Sequence, residues 1–230
     1  MDPSPLELII FDCDGVLVDS EPIAMRILLQ TLSDAGVEID AETAYEAFLG
    51  KSLASVCEIL SRDFAVDIDS IGLAQMRTRL HQAIRAELQP IPGIAEALTK
   101  LPQTVCVASS SQVERVRLSL QVTGIVEFFG DNIFSATMVS CGKPAPDLFL
   151  FAAERMHVAP ERCMVIEDSP AGIAGALAAG MRVLGFVGGS HAQATAHRQK
   201  LWDLRPDEVF DDMRALPGLL QQAEKGRKAS

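Results

Sequence analysis

The chain has 230 residues, 48% of them apolar and 5% aromatic, and a net charge of −11. That length suits one large α/β domain, or a core carrying a smaller insert, and a composition led by aliphatic residues fits a helix-covered parallel sheet better than an all-β sandwich. The excess of carboxylates argues against nucleic acid as a partner, because phosphate backbones are gripped by Lys and Arg; no apolar run reaches the ~18 residues of a membrane span.

Residues 6–11 form an apolar run of strand length that ends in Asp12-Cys13-Asp14-Gly15, a turn sequence. Residues 22–88 carry no strand pattern. Ile23, Ile27, Leu28 and Leu32, then Leu53, Val56, Ile59 and Leu60, then Met76, Leu80, Ala83 and Ile84 recur at helical spacing. Gln89-Pro90-Ile91-Pro92-Gly93 marks the return. Strand patterns at 104–108, 164–167 and 182–186 then alternate with helices at 113–123, 147–156 and 171–179, before a helical tail at 213–223. This alternation predicts an α/β fold, a Rossmann-like doubly wound parallel sheet with its site at the carboxyl ends of the strands. Residues 1–18 and 91–230 are expected to form the catalytic core, and residues 19–90 an all-helical cap.

Five cysteines, odd in number and without paired spacing, predict reduced, mostly buried thiols rather than disulfides or a zinc site. With no basic-then-apolar leader at the start of the sequence, a cytoplasmic location is expected. Nothing in the sequence requires an oligomer, and a monomer is expected.

Four clusters follow strand-like runs, and each reads two ways. Asp12 and Asp14 at spacing two can share a cavity, where their repulsion calls for a hard cation, or they can simply cap a turn. Ser109-Ser110-Ser111 can hold phosphate oxygens at a strand-to-helix junction, or cap the helix that follows. Lys143, between Gly142 and Pro144, is a placed point charge or a solvated surface lysine. Glu167 and Asp168 complete a metal site or favour the next helix N-terminus.

Together, in the order Asp12/Asp14, Ser109, Lys143, Glu167/Asp168, these clusters resemble the haloacid dehalogenase superfamily over the whole chain; the nearest likeness is to β-phosphoglucomutases and small sugar-phosphate phosphatases. The resemblance implies an Mg²⁺-dependent phosphatase acting on a small phosphomonoester, a sugar or sugar-alcohol phosphate. Asp12 would be the nucleophile and form an aspartyl-phosphate, and Asp14 the acid and base. Ser109 and Ser110 would hold the phosphoryl group, and Lys143 would offset its charge. Asp12, Asp14 through its carbonyl, and Asp168 would hold Mg²⁺, with Glu167 in or beside that set. Cap residues Lys51 and Ser52 would select the leaving group.

Two departures separate the chain from the mutases. A histidine ten residues after the second aspartate is replaced by Ala24, and an arginine that follows a Lys-Gly pair in the cap is replaced by Leu53. A phosphomutase is the alternative reading, and a non-catalytic phosphate-binding module a more distant one. His81, among Arg77, Arg79 and Arg85, reads as part of a solvated basic face. His157, His191 and His197 read as surface residues, and Trp202 as packing.

Overall fold

The computed structural model describes residues 5–48, 53–192 and 195–226. Lys51 and Ser52 therefore lie outside the described residues. In chain order the elements are β1 (Leu8–Phe11), α1 (Glu21–Asp34), α2 (Ala41–Phe48), α3 (Leu53–Phe64), α4 (Ser70–Glu87), α5 (Ile94–Lys100), β2 (Thr104–Ser109) and α6 (Val113–Val122). There follow β3 (Ile133–Ser135), α7 (Asp147–Arg155), β4 (Cys163–Glu167), α8 (Pro170–Ala178), β5 (Arg182–Phe186), α9 (Thr195–Asp203), β6 (Glu208–Phe210) and α10 (Leu216–Gly226).

The six strands form one parallel sheet in the order β3-β2-β1-β4-β5-β6. The strand order reverses at β1, which pairs with β2 on one side and β4 on the other. In doubly wound sheets that switch opens a crevice beyond the strand ends, and Asp12, Glu167 and Asp168 stand there.

Period-two alternation divides the apolar side chains between two cores. Ile9, Phe11, Val107, Met164 and Ile166 face one, packed by α5, α6 and α10. Leu8, Ile10, Cys106, Ala108 and Val165 face the other, packed by α7, α8 and α9. Both faces of β1 are thus covered, which is why it reads as an unbroken apolar run rather than an alternating one.

The first core continues through Val16, Leu17 and Val18 into the apolar faces of α1–α4, where Leu32, Leu60 and Ile84 are fully buried. The two chain crossings into this helical stretch run side by side. Asp19 N–H donates to the Gln89 carbonyl at 3.0 Å and Ile91 N–H to the Leu17 carbonyl at 3.0 Å.

Four elements go beyond the sequence expectation. The edge strands β3 and β6 have only three residues each, too short to show a period. Helix α5 follows directly on the Pro-rich return, and α9 carries no apolar stripe, with Leu201 fully buried among its described side chains. Trp202, expected to pack, is 40% exposed. Among the cysteines, Cys13, Cys106 and Cys163 are buried, Cys57 partly so and Cys141 exposed, all with free thiols. No helix among the described residues is long and apolar enough to cross a membrane.

Candidate active site

The backbone N–H of Asp12 donates to the Ile166 carbonyl at 3.0 Å, which locks the end of β1 against β4. The chain then turns sharply at Gly15, whose φ is +76°, and any Cβ there would overlap the Asp168 carboxylate and the His191 ring. Glycine is required both by the backbone conformation and by the approach of the fourth motif. Gly172 has the second role alone: a Cβ would overlap the Glu167 carboxylate.

Lys143 draws the motifs together. Its buried Nζ donates to Asp12 Oδ1 at 2.7 Å and to Glu167 Oε1, and lies 5.1 Å from the centre of the Phe149 ring. The other Glu167 oxygen, Oε2, accepts from Ser169 N–H at 3.0 Å and Ser169 Oγ at 2.9 Å. Ser169 in turn caps α8, its Oγ accepting from Gly172 N–H at 3.0 Å. Oxygens from Asp12, Glu167 and Asp168 all lie within 4.8 Å of one another.

Three buried carboxylates against one ammonium leave an excess of negative charge. Burial pushes the Asp12 carboxyl well above its usual range; Lys143 opposes this, while Glu167, Asp168 and Asp14 add to it. Asp168 is raised by burial and by Glu167. Burial alone would lower the Lys143 pKa, but Asp12 and Glu167 outweigh it and hold the ammonium charged.

Asp14 behaves differently. Burial raises its pKa, but the Arg115 guanidinium and hydrogen bonds from Ser111 and Ser20 outweigh burial and hold it below the usual value. Arg115 Nη2 reaches Asp14 Oδ1 at 2.7 Å, Ser111 Oγ donates to Oδ2 at 2.6 Å, and Ser20 Oγ donates to Oδ1. Of the serine triplet, Ser109 is buried at the end of β2 and accepts from Ser111 N–H at 3.1 Å, while Ser110 faces the cavity.

The sequence reading missed Ser20, Ser111 and Arg115 as partners of Asp14, and it misplaced two histidines. The His191 side chain is only 1% exposed, and its Nε2 lies 2.9 Å from Asp168 Oδ2. His197 Nε2 lies 2.7 Å from the Asp168 carbonyl. His157 is exposed, as expected.

A cavity of about 830 Å³ lies above these groups. Asp12, Asp14, Ser109, Ser110, Lys143 and Asp168 line it from the core, and α1, α3 and α4 close it from above with Ala24, Leu28, Leu53, Ile59, Arg77 and His81. A cavity of this size holds a small organic phosphate with room to spare.

The family of haloacid dehalogenase-like hydrolases matches residues 6–180. The chain belongs to that family. Among its relatives, the 6-phosphogluconate phosphatase of Escherichia coli (strain K12) is 30% identical over 195 residues, covering 84% of this chain and 88% of that protein. The fructose-1-phosphate phosphatase YqaB of the same organism is 32% identical over 180 residues, covering 75% and 92%. A haloacid dehalogenase-like protein of unknown function from Agrobacterium tumefaciens superposes with a TM-score of 0.82 at 35% identity, covering 95% of this chain and 99% of that one. As a haloacid dehalogenase-like enzyme with phosphatases among its relatives, the chain is a phosphoric monoester hydrolase.

Proposed function

We propose that this hydrolase acts on a sugar or sugar-alcohol phosphate with Mg²⁺, through an aspartyl-phosphate on Asp12. The observation that carries the reading is the Asp12 carboxylate, held at Oδ1 by Lys143 on the cavity wall with Asp14, Ser109 and Asp168 around it. Phosphatases for 6-phosphogluconate and fructose 1-phosphate among the relatives support the substrate class.

The residues divide the work. With Oδ1 taken by Lys143, Asp12 Oδ2 attacks phosphorus and the bond to the leaving alkoxide breaks; that oxygen takes its proton from Asp14. In the second step Asp14, again a carboxylate, takes a proton from water as the water oxygen attacks phosphorus. Inorganic phosphate leaves and Asp12 is regenerated. The proton Asp14 takes is the one given to the next leaving alkoxide; the contacts from Arg115, Ser111 and Ser20 favour the carboxylate that receives it and make the protonated form a stronger acid. Ser109 and the Ser110 backbone hold the phosphoryl oxygens, and Lys143 offsets their charge.

The donor set fits a hard divalent cation: clustered carboxylate oxygens, two of them on groups whose charge is disfavoured as they stand. Asp12, Asp168 and the Asp14 carbonyl would hold Mg²⁺, which when bound supplies positive charge to the phosphoryl group. Glu167, both of whose oxygens are already engaged, is assigned here as the counter-ion that fixes Lys143.

His191 would then act behind the metal by orienting Asp168. His191→Ala is expected to weaken Mg²⁺ binding by about 10–100-fold, read by calorimetry without substrate. Unchanged Mg²⁺ affinity would remove the assignment.

Residues 19–90 are assigned as the cap that shields the reaction from bulk water. Hydrolysis rather than phosphoryl exchange is supported by Ala24 and Leu53, both on the cavity wall where the mutases carry a histidine and an arginine. The test supplies Mg²⁺ with a panel of sugar and sugar-alcohol phosphates, and β-glucose 1-phosphate with catalytic glucose 1,6-bisphosphate. Free phosphate should appear from members of the panel. Rapid glucose 6-phosphate formation with little free phosphate would replace the hydrolase by a mutase.

A further inference from the structure

Helix α4 is polar and basic, and from its sequence Arg77, Arg79, His81 and Arg85 look alike. The structure separates them. Arg79 pairs with Asp34 at the end of α1. Arg85 turns along its own helix, with Nη1 3.5 Å from the His81 carbonyl. Arg77 and His81, four residues apart and so on one face of the helix, line the cavity that also contains Asp12 and Lys143.

We propose that Arg77, by its charge, and His81, by hydrogen bonding, form a subsite that takes a second anionic group of the substrate, a carboxylate or phosphate other than the group transferred. This deepens the sugar-phosphatase reading and rests on it.

Three observations carry the assignment. The transferred phosphoryl already has its ammonium in Lys143, so Arg77 is surplus to the chemistry at Asp12. Arg77 also makes no ion pair among the described residues, unlike Arg62 (with Asp63), Arg79 (with Asp34) and Arg115 (with Asp14). Finally, Arg77 is solvent-exposed at a cavity whose lining also includes Met25, Leu28, Leu53, Ile59, Met76 and Leu80, so a substrate group held there can reach its guanidinium. Its planar fork matches a carboxylate or phosphate in two-point contact.

The local field has the required sign. Burial lowers the His81 pKa, and Arg85, Arg115 and Arg77 lower it further; Glu114 of α6 is the opposing group. Glu58 and Arg62 of α3 and Glu21 of α1 also face the cavity. Glu21 is pushed up to about 7 by burial and by Asp14 and Asp168, so near neutrality it carries only part of a negative charge. In a chain with net charge −11, an anionic substrate needs such a local positive field.

A matched pair of substrates tests the subsite. Gluconate 6-phosphate and glucitol 6-phosphate differ at C1, a carboxylate in one and a hydroxymethyl in the other; glucitol 1,6-bisphosphate places a phosphate there. Wild type should favour one or both of the doubly anionic compounds over glucitol 6-phosphate by about 10-fold or more in kcat/KM, and the two arms tell carboxylate from phosphate. Arg77→Met should remove most of that preference, and His81→Asn part of it. Binding of the same compounds to Asp12→Asn, with and without Arg77→Met, follows the preference by calorimetry independently of turnover. If wild type shows no preference, or Arg77→Met weakens all compounds equally, the subsite is wrong even though hydrolysis stands. If binding shows the Arg77-dependent preference but nothing is hydrolysed, the subsite stands and the phosphatase reading falls.

Discussion

Asp12→Asn is expected to reduce turnover at least about 10³-fold, on the scale of losing a nucleophile, while leaving a folded protein. The amide is a poor nucleophile and a weaker ligand for a hard cation, so two proposed roles fail in one substitution. The fold should survive because the change removes a carboxylate whose charge the site disfavours. Burial, Glu167, Asp168 and Asp14 all press Asp12 towards its neutral form, and Lys143 opposes them. Activity assayed with Mg²⁺, beside a melting curve, checks both halves. A variant that keeps a tenth of wild-type activity would move the nucleophile to another residue, and one that fails to fold would show that the charge of Asp12 is structural.

What the sequence made legible was local. Asp12/Asp14, Ser109 and Glu167/Asp168 each sit in a short contiguous signature at the end of a strand-like run, Lys143 sits in a stiff Gly-Lys-Pro loop, and parallel topology brings such strand ends together. Arg115 was hidden because it lies four residues after Ser111 on an amphipathic helix, where an arginine looks like any solvated residue until the fold turns it onto Asp14. His191 had a usable signal. It follows Gly188-Gly189-Ser190 after β5, the same carboxyl edge as the other motifs, but a lone histidine without partner spacing gave no reason to use it. The edge strands were beyond reach for a different reason: β3 and β6 owe their conformation to pairing with β2 and β5 rather than to any pattern of their own.

Lys143→Met should cost activity and stability together, and the stability loss should depend on pH. The ammonium is the cation shared by Asp12 and Glu167, and its side chain is 4% exposed. Without it, a developing charge on the phosphoryl group loses its fixed partner, a loss of about 10²–10³-fold in turnover. Two buried carboxylates also lose their counter-ion, a change worth about 3–5 kcal/mol when one member of a buried pair is removed. The sign with pH follows from Asp12 and Asp168. Their folded pKa values are raised, so the folded state holds protons more tightly than the unfolded chain, and stability falls as pH climbs from about 3.8 through the raised folded values. Lys143 lowers both pKa values and stays charged across that range. Its removal raises them further, so the deficit of the variant relative to wild type should be larger at pH 8 than at pH 5. Melting curves of both proteins in metal-free buffer at the two pH values measure this. An equal deficit at both would mean that Lys143 stabilises by packing against Phe149 rather than by charge, and turnover within tenfold of wild type would remove it from the chemistry.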